Sequence, residues 1–199
     1  MAKPIPRRQL ILEALARELE KSPGGRITTA ALARASGVSE AALYRHFSSK
    51  AKMFEGLIEF AEETVFARIN QIMENEKSTS LRCFNVLYLL LAFADRNPGI
   101  TRVLLGDALV GEQARLHTRV EQFFARLETQ LKQILRESRM REGEQSALDV
   151  EQAASLMLAL VEGRMQRFLR TRFRVSPLAE WDGHWGLIEP CLFPPAPAD

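Results

Sequence analysis

Residues 28–50 read Thr28-Thr29-Ala30-Ala31-Leu32-Ala33-Arg34-Ala35-Ser36-Gly37-Val38-Ser39-Glu40-Ala41-Ala42-Leu43-Tyr44-Arg45-His46-Phe47-Ser48-Ser49-Lys50. The spacing predicts two short helices joined by a tight turn. Thr28 and Thr29 offer N-cap hydroxyls to a first helix running to about Ala35. Gly37 allows the turn between the helices, which often needs a left-handed backbone. Ser39 is a good N-cap for a second helix running to about Phe47. Leu32, Val38, Leu43 and Phe47 supply a small shared core, and Ala33 is small where two helices must cross closely. This is the pattern of a helix-turn-helix, whose second helix places its N-terminal residues near base edges in the major groove.

Chemistry assigns roles along the same stretch. Thr28 and Thr29 can donate hydroxyls to phosphate at a helix N-terminus that favours anions. Glu40 can accept from a cytosine amino group, and the Ala41 and Ala42 methyls can pack on thymine methyls. Tyr44 and His46 suit phosphates or bases, and Arg45 reaches either a guanine or the backbone. Lys50 opens the next helix, where a cation opposes the helix dipole and a nearby phosphate would offset it. The plainer alternative is a helical hairpin with a solvated basic face.

Charge favours the nucleic-acid reading. The net charge of +2 over 199 residues is uninformative until it is divided. Residues 1–52 hold ten Lys and Arg against four Asp and Glu, a balance of +6, which leaves −4 for the rest. A basic head on a mildly acidic body suits a polyanion-facing module joined to something else.

Working outward, Ile11, Leu15 and Leu19 place a helix over 7–21, and Phe54, Ile58, Ala61, Val65, Ile69 and Ile72 line one from about Ser49 to Glu74. Residues 81–96 are apolar nearly all round, the pattern of a central buried helix that Asn97-Pro98-Gly99 stops. A shorter helix is expected over 100–109, then a long amphipathic one through Leu116, Val120, Phe123, Leu127, Leu131 and Ile134. Glu142–Asp149 reads as a polar loop, 150–173 as a helix, and Trp181, Trp185, Ile188 and Leu192 as the stripe of a last helix after Ser176-Pro177. The fold class is all-α. Residues 1–52 are expected to form the DNA-binding domain, 53–193 a helical dimerisation and partner-binding domain, and 194–199 a Pro-rich tail.

Several functions fall away. The longest apolar run, Val86–Ala94, has nine residues, too few to cross a bilayer. Cys83 and Cys191 make neither a CxxC nor a disulfide framework; both are expected as buried thiols in a reducing cytosol. The three histidines lie in unrelated segments, and no nucleotide-binding or nucleophile motif occurs. No enzyme activity, cofactor or metal is expected.

The run Gly37-Val38-Ser39 through Leu43-Tyr44-Arg45-His46-Phe47-Ser48-Ser49-Lys50 resembles the signature of TetR-type regulators. That resemblance implies a TetR-like architecture of about nine helices: a three-helix head on a body whose last two helices pair with those of a second copy. Further runs (Arg26-Ile27-Thr28-Thr29-Ala30, Leu57-Ile58-Glu59-Phe60, Arg96-Asn97-Pro98-Gly99 and Arg139-Met140-Arg141-Glu142-Gly143-Glu144) resemble a branch of the family that acts in nucleoid occlusion. The resemblance implies a homodimer at near-palindromic duplex sites on the chromosome, in the cytoplasm at the nucleoid. It also implies binding to the tubulin-like division GTPase FtsZ, whose ring assembly is prevented over unsegregated DNA. Ser48 stands where Pro is common, and Ala92 and Ala94 where Gly is more usual.

At 100° per residue Phe60 points away from the Ile58, Ala61 and Val65 stripe, with Arg68 at the edge of its side. An outward Phe beside an Arg suits a binding anchor. With the resemblance, Phe60, Arg68, Leu89, Arg96 and Asn97 become the expected partner surface, and Leu156, Leu160, Trp181, Trp185 and Ile188 the expected dimer interface. The tryptophans suit internal packing equally well, and the crowded Arg164, Arg167, Arg170, Arg172 and Arg174 suit a solvated helix end. A ligand-responsive transcriptional repressor on the same fold is the alternative function.

Overall fold

In a computed structural model the backbone is described for residues 6–141 and 149–194, with side chains for all of these but 138–141. The expected polar loop up to residue 148 and the tail beyond residue 194 lie outside them. The described residues form nine α-helices and no strand. These are α1 (Arg7–Lys21), α2 (Thr29–Ser36), α3 (Glu40–His46), α4 (Lys50–Asn75), α5 (Thr79–Arg96), α6 (Pro98–Leu104), α7 (Ala114–Arg141), α8 (Val150–Arg170) and α9 (Trp181–Leu192). A 3-10 turn, Asp107–Leu109, follows α6, so the single helix expected over 100–109 is two elements broken at Gly106, whose φ is +78°.

The described residues group into two compact units, one within Met1–Glu63 and Arg96–Glu121, the other within Thr64–Asp95 and Gln122–Asp199. In the first, α1 buries Ile11, Ala14, Leu15 and Leu19 and packs on α2, α3 and α6. Pro98 opens α6, where its missing N–H is no loss. Gly99 then meets the α1 backbone: a Cβ there would stand 1.9 Å from the Ala16 carbonyl oxygen. Three residues on, Arg102 is 1% exposed and reaches back beneath the end of α1. It donates to the carbonyls of Leu19 at 2.8 Å, Ser22 at 2.6 Å and Gly25 at 3.2 Å, and to Asp107 at 2.5 Å. A buried guanidinium thus donates to carbonyls that a helix terminus leaves unsatisfied.

In the second unit, the core is supplied by Cys83, Val86, Leu87, Leu90 and Leu91 of α5, Phe123, Leu127, Leu131 and Ile134 of α7, and Met157, Val161, Met165 and Phe168 of α8. Phe66 meets Phe123 edge to face at 5.7 Å. Arg82 caps the end of α4, donating to the carbonyls of Glu76 at 2.6 Å and Met73 at 2.9 Å. The helix expected to be buried all round keeps two large side chains out: Leu81 and Tyr88, one face apart by seven residues, are both more than two-fifths exposed. Burial pushes the Cys83 thiol up to about 12, whereas Cys191 is exposed, so only one of the two expected buried thiols is buried.

Asp149 caps α8 by accepting from the Gln152 N–H at 2.8 Å. The helix ends at Arg170, earlier than expected, because Arg172 and Phe173 take left-handed φ values of +51° and +63°. Arg164 is not part of a solvated face. It donates to the Pro177 and Ala179 carbonyls and to His184 Nδ1, fixing the turn that delays α9 to Trp181.

Candidate nucleic-acid interface

The helix-turn-helix is built by local rules. Thr28 is extended, and its hydroxyl oxygen accepts the Ala31 N–H at 3.2 Å. Gly37 closes α2 with φ +66°, and the Val38 N–H returns to the Ala33 carbonyl at 3.1 Å, the closure expected of a left-handed helix end. Ser39 then caps α3 by accepting the Ala42 N–H at 3.2 Å. Leu32, Ala33, Leu43 and Phe47 are buried, so both short helices are held by their apolar faces.

That burial leaves the polar face outward. Thr28, Glu40, Ala41, Tyr44, Arg45 and His46 are exposed, and Thr29, Ala42 and Lys50 are half-buried. Three of these nine have partners that sequence reading missed. The Thr29 hydroxyl donates to Glu40 Oε2 at 2.9 Å, tying the start of α2 to the start of α3. Lys50 pairs with Glu112 at 2.6 Å and lies 5.4 Å from the Phe54 ring centre. The anion that offsets its unfavourable place at a helix N-terminus is therefore already present in the chain. The Ser49 hydroxyl oxygen accepts the Lys52 N–H at 3.2 Å and caps the start of α4.

Behind α3, α4 carries Glu55, Glu59 and Glu62 on one face. Lys52 and Arg115 pair with Glu55, Arg8 with Glu59, and Arg119 with Glu62 at 2.6 Å. The Lys52 hydrogen bond, with the charges of Arg115, Lys52 and Arg119, holds the Glu55 carboxyl below its ordinary range against the opposing effect of burial. Beside these pairs lies a polar cavity of about 330 Å³ lined by Arg8, His46, Ser48, Lys52, Glu59 and Arg119 among others.

The expected partner residues fall in both units. Phe60 is 46% exposed while its neighbours Ile58, Ala61 and Val65 are fully buried, as the helical period requires. It shares the first unit with exposed Arg96 and half-buried Asn97, whose carbonyl accepts the Thr101 N–H at 2.9 Å. Arg68, exposed and donating to Gln71 at 2.9 Å, and half-buried Leu89 belong to the second. Of the expected dimer residues, Leu156 is exposed, and Leu160 and Ile188 are half-buried. Trp181 and Trp185 are turned into their own unit, 6.2 Å and 5.6 Å from the Phe84 ring. The exposed apolar side chain on α9 is Leu187, which the stripe reading passed over.

A capped helix-turn-helix of this kind, followed by helices throughout the described residues, is the architecture of a DNA-binding regulator. Residues 11–57 match the family described as bacterial regulatory proteins, tetR family, and residues 77–192 the tetracyclin repressor-like C-terminal domain of the SlmA-like type. The chain belongs to this family, in its SlmA-like branch. Nucleoid occlusion factor SlmA of Shewanella amazonensis is 57% identical over 185 residues, covering 93% of this chain and 94% of that one. SlmA of Shewanella baltica strain OS155 is 58% identical over the same shares. Among solved structures, the fatty acid degradation regulator FadR of Bacillus halodurans shares the fold, with a TM-score of 0.77 at 13% identity, over 94% of this chain and 96% of that one. Among the described residues no helix is long and apolar enough to cross a membrane.

Proposed function

We propose that the chain is a nucleoid occlusion factor: a homodimer that binds near-palindromic duplex DNA on the chromosome and, from there, inhibits FtsZ ring assembly. The observation that carries the DNA half is the outward face of α3, Glu40 to His46, fixed by two serine and threonine caps and a left-handed glycine. The partner half rests on the 57% identity to a nucleoid occlusion factor, with Phe60, Arg68, Leu89, Arg96 and Asn97 as the surface offered to FtsZ. In this reading residues 1–52 read DNA and residues 53–193 dimerise and bind the partner. The test is co-sedimentation of polymerising FtsZ with the chain, with and without a duplex that the chain selects from a random pool. Polymer recovery is expected to fall with the chain and further with the duplex, and Phe60→Ala to restore it while DNA binding is kept. Unchanged polymers in both conditions would defeat the division reading and leave a DNA-binding repressor.

Lys50→Ala is expected to weaken binding to every duplex alike and to lower the salt slope of binding by about one. A slope equal to that of the parent would mean that Lys50 spends its charge on Glu112 alone.

The dimer is assigned to α8 and α9. Leu156 on α8 and Leu187 on α9 are 51% and 73% exposed, apolar area that a second copy would bury. Trp181 and Trp185 act from behind by fixing α9. Leu187→Asp is expected to shift the chain from dimer to monomer in sedimentation at micromolar concentration. A parent chain already monomeric there would overturn the assignment.

A further inference from the structure

We infer that Thr29 is a specificity-positioning residue, which holds the Glu40 carboxylate in place to read a base-edge amino group; this rests on the reading of α3 as the helix that enters the groove. A carboxylate on a DNA-facing helix is repelled by the phosphates around it. It gains only where one oxygen meets an amino donor on a base edge, and cytosine N4 in the major groove is the donor that suits it. A free glutamate side chain would swing away from the phosphates, so the contact needs a tether.

The tether is present without DNA. Thr29 Oγ1 donates to Glu40 Oε2 at 2.9 Å, across eleven residues of sequence and between the first residues of two helices. Glu40 Oε1 accepts from no described residue, so one oxygen is held and the other is open. Both ends of the tether are fixed by their helices. Thr29 follows the capping Thr28 at the start of α2, and Glu40 follows the capping Ser39 at the start of α3.

The two adjacent threonines thereby take different tasks. A hydroxyl has one proton. Thr28 uses its oxygen as an acceptor for the Ala31 N–H, so its proton stays available to a phosphate. Thr29 gives its proton to Glu40 and has none left for a phosphate. Of the phosphate roles that sequence reading gave to both, that of Thr28 is kept and that of Thr29 is replaced.

The two roles separate in a binding experiment with the full-length chain. A duplex is selected by the parent from a random pool, and affinities are measured for it and for every single base-pair change. Glu40→Ala is expected to flatten preference at one base pair per half-site by about tenfold or more. Thr29→Val, which removes only the hydroxyl, is expected to flatten the same base pair by about fivefold. Thr29→Ser is expected to keep the parental profile, and the double variant to match Glu40→Ala. Melting temperatures of the variants report whether the head stays folded. If Glu40→Ala flattens the profile but Thr29→Val weakens all duplexes equally, Thr29 is a phosphate contact and the positioning role is wrong. If Glu40→Ala leaves the profile unchanged, Glu40 does not read a base, and the inference falls together with that part of the DNA reading.

Discussion

Gly99→Ala is expected to destabilise the chain by about 3 kcal/mol or more, at the upper end of overpacking costs. For a chain of this size that is a fall of about 6–12 °C in Tm. The added methyl would lie 1.9 Å from the Ala16 carbonyl oxygen and 2.8 Å from its carbon. Those are backbone atoms in the middle of α1, so no side-chain rotation relieves the contact. Either α6 moves off α1 or α1 moves with the helices packed on it, α2 and α3. DNA affinity should therefore fall with Tm, although Gly99 lies far along the chain from α3. Gly37 differs in kind: nothing lies within 4 Å of its missing Cβ, and only its φ of +66° demands glycine. An L residue there costs about 1–2 kcal/mol, a local price without a clash. A Gly99→Ala chain melting within about 2 °C of the parent would mean that α6 does not press on α1 as described.

The contrast between those glycines shows which features a sequence displays. Gly37 was legible because its role is local: a cap before it, a cap after it and apolar residues at helical spacing on both sides. Helix α1 was legible to the residue, since Ile11, Leu15 and Leu19 recur every four residues and Ser22-Pro23-Gly24-Gly25 ends it. Gly99 read only as a helix stop, because its true neighbour is Ala16, a separation that no periodicity carries. Lys50 and Glu112 are 62 residues apart, and sequence reading supplied the missing anion from DNA instead. The left-handed end of α8 was missed for another reason. Arg172 and Phe173 are neither glycine nor asparagine, so nothing in their identity marks the stop.

The site follows the same division. That Glu40, Tyr44 and Arg45 face outward follows from Leu43 facing inward, a local deduction. That Thr29 hydrogen-bonds Glu40 depends on how α2 crosses α3, which the turn sets but spacing does not express. For the tryptophans the stripe left internal packing and a dimer interface both open. An apolar stripe shows which face is buried and not what buries it, and here Phe84 of α5 takes Trp181 and Trp185, leaving Leu187 outside. For the partner surface the outward turn of Phe60 was legible from its angle to Ile58 and Ala61. The place of Arg68 near that side came from the same angle, and the expectation that Leu89, Arg96 and Asn97 join them came from resemblance.

Arg102→Met is the second large effect, expected to cost about 3 kcal/mol or more, because main-chain carbonyls that lose a buried donor cost about 1–3 kcal/mol each. In sequence Arg102 is one basic residue in a short apolar helix and passes for a surface charge. In the structure it is 1% exposed and spends four hydrogen bonds, three on main-chain carbonyls at the end of α1 and in the turn to α2. The fourth goes to Asp107, which would be left with an uncompensated charge. Methionine fills most of the volume, so the loss measures unsatisfied carbonyls and charge rather than a cavity. Arg102→Lys keeps the charge but replaces a planar five-donor fork with a single ammonium that cannot span all four acceptors, so it should recover only part of the loss. Asp107→Asn should cost less than either, because the three carbonyl bonds survive. Hydrogen exchange distinguishes this from general weakening: amides of residues 22–27 and of α2 should lose protection first, with those of α8 retained. A Tm unchanged in Arg102→Met, or exchange that quickens evenly through both units, would remove Arg102 from its place as the clamp on the DNA-reading head.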